Sequence, residues 1–219
     1  MKKMFIIIFI LAIIFVGLLV YRKVGIRQNS INVEEISKIE EYIEKIYMWK
    51  EITNEALPTF DDINQADDIW IWEVTKKNLD EYELTYDDIT SKAKEIFGGK
   101  FDKEFPRAGN SSFIYDEEID KYIPSEINID EKEDCFLLDT IKKISSGYEI
   151  TIIEYVEDYS NKDTVIIRNL QDEELGRIAN SDNESKAQEI VKQNKDRFTK
   201  KRIILKEEDN LIVEKVEEI

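Results

Sequence analysis

The sequence predicts an α+β domain behind an N-terminal transmembrane helix, with helices packed on one side of an antiparallel sheet. Three observations predict it. The chain opens with a long uncharged apolar run. The stretch after that repeats apolar residues at helical spacing. The second half bunches or alternates them between turn residues, as hairpin-linked strands do.

Residues Met4–Tyr21 (MFIIIFILAIIFVGLLVY) carry no charge and no amide. A helix of that length spans roughly 27 Å, close to the ~30 Å hydrocarbon core of a bilayer. Cleaved signals have shorter cores and end in a small-x-small site. This run instead exits into Tyr21-Arg22-Lys23-Val24-Gly25, so an uncleaved membrane anchor over residues 1–23 is expected. A buried core helix would carry a polar face, and this run has none. No cysteine follows to take a lipid. Lys2, Lys3 and the free amine face Arg22, Lys23 and Arg27 across the segment, which nearly balances the positive-inside rule. The short basic tail opening into the apolar run resembles an export signal, which places the remainder outside the cytoplasm.

Residues 24–32 form a polar spacer, and residues 33–219 form one domain. Asn32 and Glu35 stand at capping-box spacing before a helix predicted over Val33–Leu57. Ile36, Ile39, Ile43 and Ile46 share one face of it, and Pro58 stops it. That stripe suits packing on the domain's own sheet or pairing with a second copy. Only two heptads are clean, which favours self-packing. Thr59–Asp62 repeats a start signal. In Ile63–Leu79, Ala66, Trp70 and Val74 recur at i, i+4, i+8, which favours helix over strand. Thr85 and Asp88 open a third helix with Tyr86, Ile89, Ala93 and Ile96 inward, closed by Gly98-Gly99.

Lys100–Ser112 reads as a loop and Phe113–Tyr115 as a short strand. Cys135–Ile144 and Tyr148–Glu157 flank Ser145-Ser146-Gly147, which suits a three-residue hairpin turn. Thr164–Leu170 is a further strand and Ser181–Asn194 a helix with Ala187, Ile190 and Val191 inward. Arg202–Leu205 and Leu211–Val216 make a closing hairpin.

Composition bounds the function. Hydrophobic residues are 42 % and charged residues 36 % of the 219, a pairing that supports a folded core and excludes a disordered chain. Net charge is −17. Four of the 31 basic residues and none of the 48 acids fall in residues 1–23, so residues 24–219 hold 27 bases against 48 acids, net −21. Such a surface repels phosphate backbones and anionic lipid, and attracts basic proteins or divalent cations. No nucleic-acid partner is expected. The chain has no histidine, which removes Ser-His-Asp and Cys-His catalysis, His-bearing zinc sites and histidine pH switches.

No cofactor, metal or catalytic motif emerges. The seven glycines never take dinucleotide or Walker spacing. The doublets Asp61-Asp62, Asp67-Asp68 and Asp87-Asp88 and the triplet Asp116-Glu117-Glu118 fit no EF-hand loop. Two of these sit at expected helix starts, where acids oppose the positive end of the helix dipole. Cys135 is the single cysteine, so no intramolecular disulfide forms. Its neighbours Glu133 and Asp134 disfavour a reactive thiolate, and a buried small hydrophobe is expected. Trp70 and Trp72 are the one candidate ligand-binding pair, able in principle to stack on a sugar. Core packing is the ordinary role of tryptophans set among isoleucines. A carboxylate pair acting as a hydrolase needs no histidine, but its separation is a three-dimensional quantity.

The stretches FDDINQADDIWIW (60–72), EIFGGKFDKEFP (95–106) and GYEITIIEYVEDYS (147–160), behind the apolar run, resemble uncharacterised membrane-anchored proteins of spore-forming, AT-rich Gram-positive bacteria. The order of helices and then strands is similar to NTF2-like or cystatin-like extracytoplasmic domains. That resemblance implies a curved sheet and does not settle the activity, since such folds serve enzymes and binding modules alike. The expectation is a single-pass, membrane-anchored, acidic, non-enzymatic domain that meets a protein partner at the cell envelope. The alternatives are a small-ligand or glycan binder and a carboxylate-dependent hydrolase.

Overall fold

The computed structural model describes residues 31–125, 131–181 and 184–219. The predicted anchor, residues 1–23, and nearly all of the 24–32 spacer lie outside the described residues. Among the described residues, no helix is long and apolar enough to cross a membrane. What they form is a mixed α+β fold with an antiparallel sheet.

Helix α1 (Val33–Ile46) starts at the expected capping box, with the Asn32 and Glu35 side chains each accepting the other's backbone N–H. Ile39, Ile43 and Ile46 are buried with Tyr42. The helix predicted to reach Leu57 ends eleven residues early, because distant side chains take over its last carbonyls. The Lys77 ammonium donates to Glu44 O (2.7 Å) and Tyr47 O (2.9 Å), the Asn78 amide to Lys45 O, and the Trp70 indole to Ile46 O. The Met48 N–H turns back to Ala56 O, around a one-turn helix α2 (Lys50–Thr53).

A 3-10 turn at Ile63–Gln65 leads to α3 (Asp68–Lys77), where the Asp67 side chain accepts the Trp70 N–H. Helix α4 (Tyr86–Phe97) carries the Thr85/Asp88 capping box. A small hairpin follows, β1 (Phe113–Asp116) with β2 (Lys121–Pro124).

The main sheet is built on β4 (Gly147–Asp158). One edge of β4 pairs along its length with β3 (Lys132–Ile144). Its other edge is divided: β7 (Thr199–Glu207) covers residues 147–154 and β5 (Thr164–Arg168) covers 156–158. β8 (Leu211–Glu218) extends the first wing and β6 (Glu174–Ala179) the second. Ile144 pairs with Gly147, so the β3–β4 turn holds two residues, Ser145-Ser146, rather than three. A bulge between Leu138 and Thr140 shifts the register of β3 by one.

Side chains alternate faces along a strand, and β4 uses both. Tyr148, Ile150 and Ile152 face the cluster formed with α1, α3 and α4. Ile153 and Tyr155 face a second cluster with Val165, Ile167, Ile178, Ala187 and Val191. Ala187 and Val191 belong to α5 (Glu184–Gln193). This corrects one feature of the expected architecture: α5 lies across the sheet from the other helices. Ile153 and Tyr155 make this second face of β4 apolar as well, so it needs cover of its own. Gly176 of β6 lets α5 approach, since a Cβ there would come within 2.8 Å of Ile190.

Candidate functional site

Trp70 and Trp72 do not form a site. Trp70 is fully buried, with its indole N–H on Ile46 O and its ring against Phe60 and Phe97. Trp72 is 2 % exposed and meets the edges of Phe101 and Phe105. Neither lines any of the three hollows described below. The pair bridges α1 and the 97–105 loop, so the ligand-stacking expectation is corrected to a core role. The acidic doublets are structural too. Asp62, Asp67 and Asp88 cap helix starts, and the Asp116 carboxylate accepts the Glu118 N–H in the β1–β2 turn.

The described residues form surface hollows that include three of about 510, 350 and 600 Å³. The first stands apart in its lining. It lies where the end of α1, the start of β3 and the end of β4 converge. Five carboxylates line it, from Glu40, Glu44, Glu133, Asp134 and Glu157. Five aromatic rings join them, from Tyr47, Trp49, Phe136, Tyr155 and Tyr159. Lys77 is its single cation, and that ammonium is engaged by the carbonyls at the end of α1. Burial lowers the Lys77 pKa, partly offset by Glu44.

Each wall has a local cause. The extended backbone of Tyr47 (φ −81°, ψ 125°) ends α1 and drops its ring into the core. The Tyr47 hydroxyl lies 3.1 Å from Cys135 O and 3.3 Å from Glu154 Oε1, with one proton to give between them. Burial, then Glu154 and Asp134, raise that phenol well above its ordinary value. Asp134 accepts the Lys50 N–H at 2.6 Å, and burial pushes its carboxyl up against that bond. The Tyr159 hydroxyl donates to Glu157 Oε2 at 2.6 Å, while its N–H is fixed on Glu131 O.

Within the cleft, Glu133 and Glu157 are direct cross-strand partners on one face of the sheet. Cys135 and Tyr155 form the next pair on that face. Side chains so paired have Cβ atoms about 5 Å apart, and like charges in that relation destabilise a sheet. Glu157 is 8 % exposed, so water screens it poorly.

The half-buried Cys135 lines this cleft, with its sulfur 3.7 Å from Glu133 O. Among the described residues, no three His, Cys, Asp or Glu side chains converge as a metal site. Sequence reading noted Glu133 and Asp134 only as neighbours of Cys135. It missed Glu157, which the β3–β4 register sets opposite Glu133, and Trp49 and Tyr159, which reach the cleft from the end of α1 and from just past β4. No known protein family, curated protein or solved structure matches the chain.

Proposed function

We propose that this protein is a single-pass membrane-anchored, non-enzymatic interaction domain that stands outside the cytoplasm and binds a protein partner by charge complementarity at the envelope. The acid- and aromatic-lined cleft is the observation that carries the reading. It combines a volume of about 510 Å³ with five carboxylates against one engaged lysine. A hollow of that size suits one or two side chains of a partner. Net charge of −17 extends the same sign over the molecule and steers cationic surfaces toward it.

The uncharged Met4–Tyr21 run supplies the tether, and an acidic domain held off an anionic bilayer leaves the cleft open to a neighbour. Protease added to intact cells tests the arrangement. Loss of the C-terminal domain, with the protein retained in the membrane fraction after alkaline extraction, is the expected result. A domain cleaved only after lysis, or released by alkali, overturns the topology.

A further inference from the structure

We propose that the outer edge of β3 pairs antiparallel with the same edge of a second copy of this chain, joining two main sheets into one across a two-fold axis beside the β3 bulge. The proposal does not depend on the cleft.

β3 runs for thirteen residues, and among the described residues only β4 lies beside it. Leu137 is the one fully buried residue of the thirteen. A long unpaired edge is a template for another strand. Which backbone groups it offers follows from the ladder, because residues of an antiparallel strand bond alternately to one side and the other. The Tyr159 N–H bonds Glu131 O, so Glu133, Cys135 and Leu137 turn toward β4 and Asp134 and Phe136 turn out. At the other end the Glu207 N–H bonds Ser146 O, which turns Ser146 toward β7 and Gly147 toward β3. Ile144, Lys142 and Thr140 therefore bond to β4, and Ile141 and Lys143 turn out.

The charges on this edge are sorted by sign. Glu133 and Asp134 stand near its start, Lys142 and Lys143 near its end. The two charges that break the pattern are engaged within the chain, Lys132 by Asp172 and Asp139 by Lys195. Lysines on an edge strand ordinarily discourage pairing. Antiparallel self-pairing instead brings each lysine end to the acidic end of the other copy. In the register that matches them, Asp134 lies opposite Lys143 and Phe136 opposite Ile141, each twice by symmetry. All four residues turn their backbone groups outward, and opposite-charge and aromatic–β-branched pairs are among those that stabilise a sheet. Phe136 and Ile141 both pack at the border of the larger core cluster, so the joined pair extends that cluster across the axis. Net charge of −17 on each copy opposes association in general, and the matched ends offset it locally.

The same register sets Lys142 opposite Cys135 of the second copy, in a pair whose Cα atoms are about 4.5 Å apart, within disulfide reach. Within one chain the two positions are seven residues apart on a strand, about 23 Å, and cannot bridge. Cys135 is the single cysteine. The full chain in mild detergent, bearing Lys142→Cys, is expected to form a covalent dimer on mild oxidation. Lys142→Cys combined with Cys135→Ser, and Glu118→Cys alone, are expected to remain uncrosslinked. Sedimentation of the unmodified chain should show a reversible dimer. Lys142→Glu with Lys143→Glu should weaken it by about tenfold or more, as should Glu133→Lys with Asp134→Lys. Mixing the two variants should restore association, since each reversed end then meets its opposite. If a reversal variant does not fold, the cysteine variants still decide the matter. A chain that stays monomeric at about 100 µM overturns the proposal. So does a dimer that survives both reversals, as one held by the apolar N-terminal run would, or crosslinking no greater than in the controls.

Discussion

Glu154 is 1 % exposed and lies between the Tyr47 hydroxyl and the Lys201 ammonium, the latter 3.5 Å from Oε2. Lys201 also reaches Leu57 O and Glu55, so it neutralises Glu154 only in part. Burial raises the Glu154 carboxyl from the ordinary 4.5 to about 7, against the pull of Lys201 and Tyr47. The native state therefore holds this proton more tightly than the unfolded chain. The stabilisation is complete below pH 4.5 and is lost as pH rises through 7, to a total of about 3 kcal/mol. The chain has no histidine to mask this window. Denaturant titrations at pH 5 and pH 8 should show stability falling with pH, and Glu154→Gln should flatten the difference. An unchanged slope in the variant would assign the effect elsewhere.

Asp158 behaves oppositely. Burial pushes it up, but hydrogen bonds from Ser160 and Arg168 hold it down at about 2. Its contribution is present above the ordinary carboxylate value and fades as pH falls toward 2. Asp158→Asn breaks a nearly buried ion pair with Arg168 (2.8 Å) and should cost about 3 kcal/mol at neutral pH. That loss should shrink in acid, a dependence read from chemical denaturation of variant and wild type at neutral pH and near pH 2, on either side of the window between the ordinary carboxylate value and the lowered one.

At the scale of elements, the end of α1 is set by α3. A helix leaves its last carbonyls without internal donors, and here Lys77, Asn78 and Trp70 supply them. Lys77→Met removes two hydrogen bonds and a cation at a helix C-terminus. It should destabilise the domain by about 2 kcal/mol in thermal or denaturant unfolding. A loss below a few tenths would mean that water caps the helix as well as Lys77 does.

The same contact explains what was legible in the sequence. The starts of α1 and α4 were readable because Asn32–Glu35 and Thr85–Asp88 cap across three residues. The end of α1 was not, because its donors lie some thirty residues downstream. Strands β2 and β6 are four and six residues long with no clean apolar alternation, so they left no periodic trace. The place of α5 depends on which face each residue of β4 presents, which a run such as Ile150-Thr151-Ile152-Ile153 leaves ambiguous. The cleft was hidden by the bulge. Counted back from the Ile144–Gly147 pair, an unbroken ladder would set Glu133 opposite Asp158, and the extra residue at Asp139 sets it opposite Glu157.

For the molecule as a whole, ionic strength acts on two properties with opposite sign. With 48 acids and 31 bases, at least 17 carboxylates have no counter-charge even if every base is paired. Their mutual repulsion opposes the compact state and is screened by salt. Surface ion pairs such as Arg177–Glu174 and Lys132–Asp172 weaken under the same screening, but exposed pairs are worth at most about 1 kcal/mol each. Repulsion spread over the excess acids should outweigh them. Raising sodium chloride from about 20 mM, where the Debye length is about 20 Å, to about 500 mM, where it is about 4 Å, should raise the Tm by a few degrees. Binding of a basic partner depends on attraction across the same solvent and should weaken over that range. A protein that becomes more stable while its ligand becomes weaker has an excess charge retained against stability, as a binding surface requires. If Tm and affinity fall together, the ion pairs hold the fold and the acidic excess is only a solvated surface.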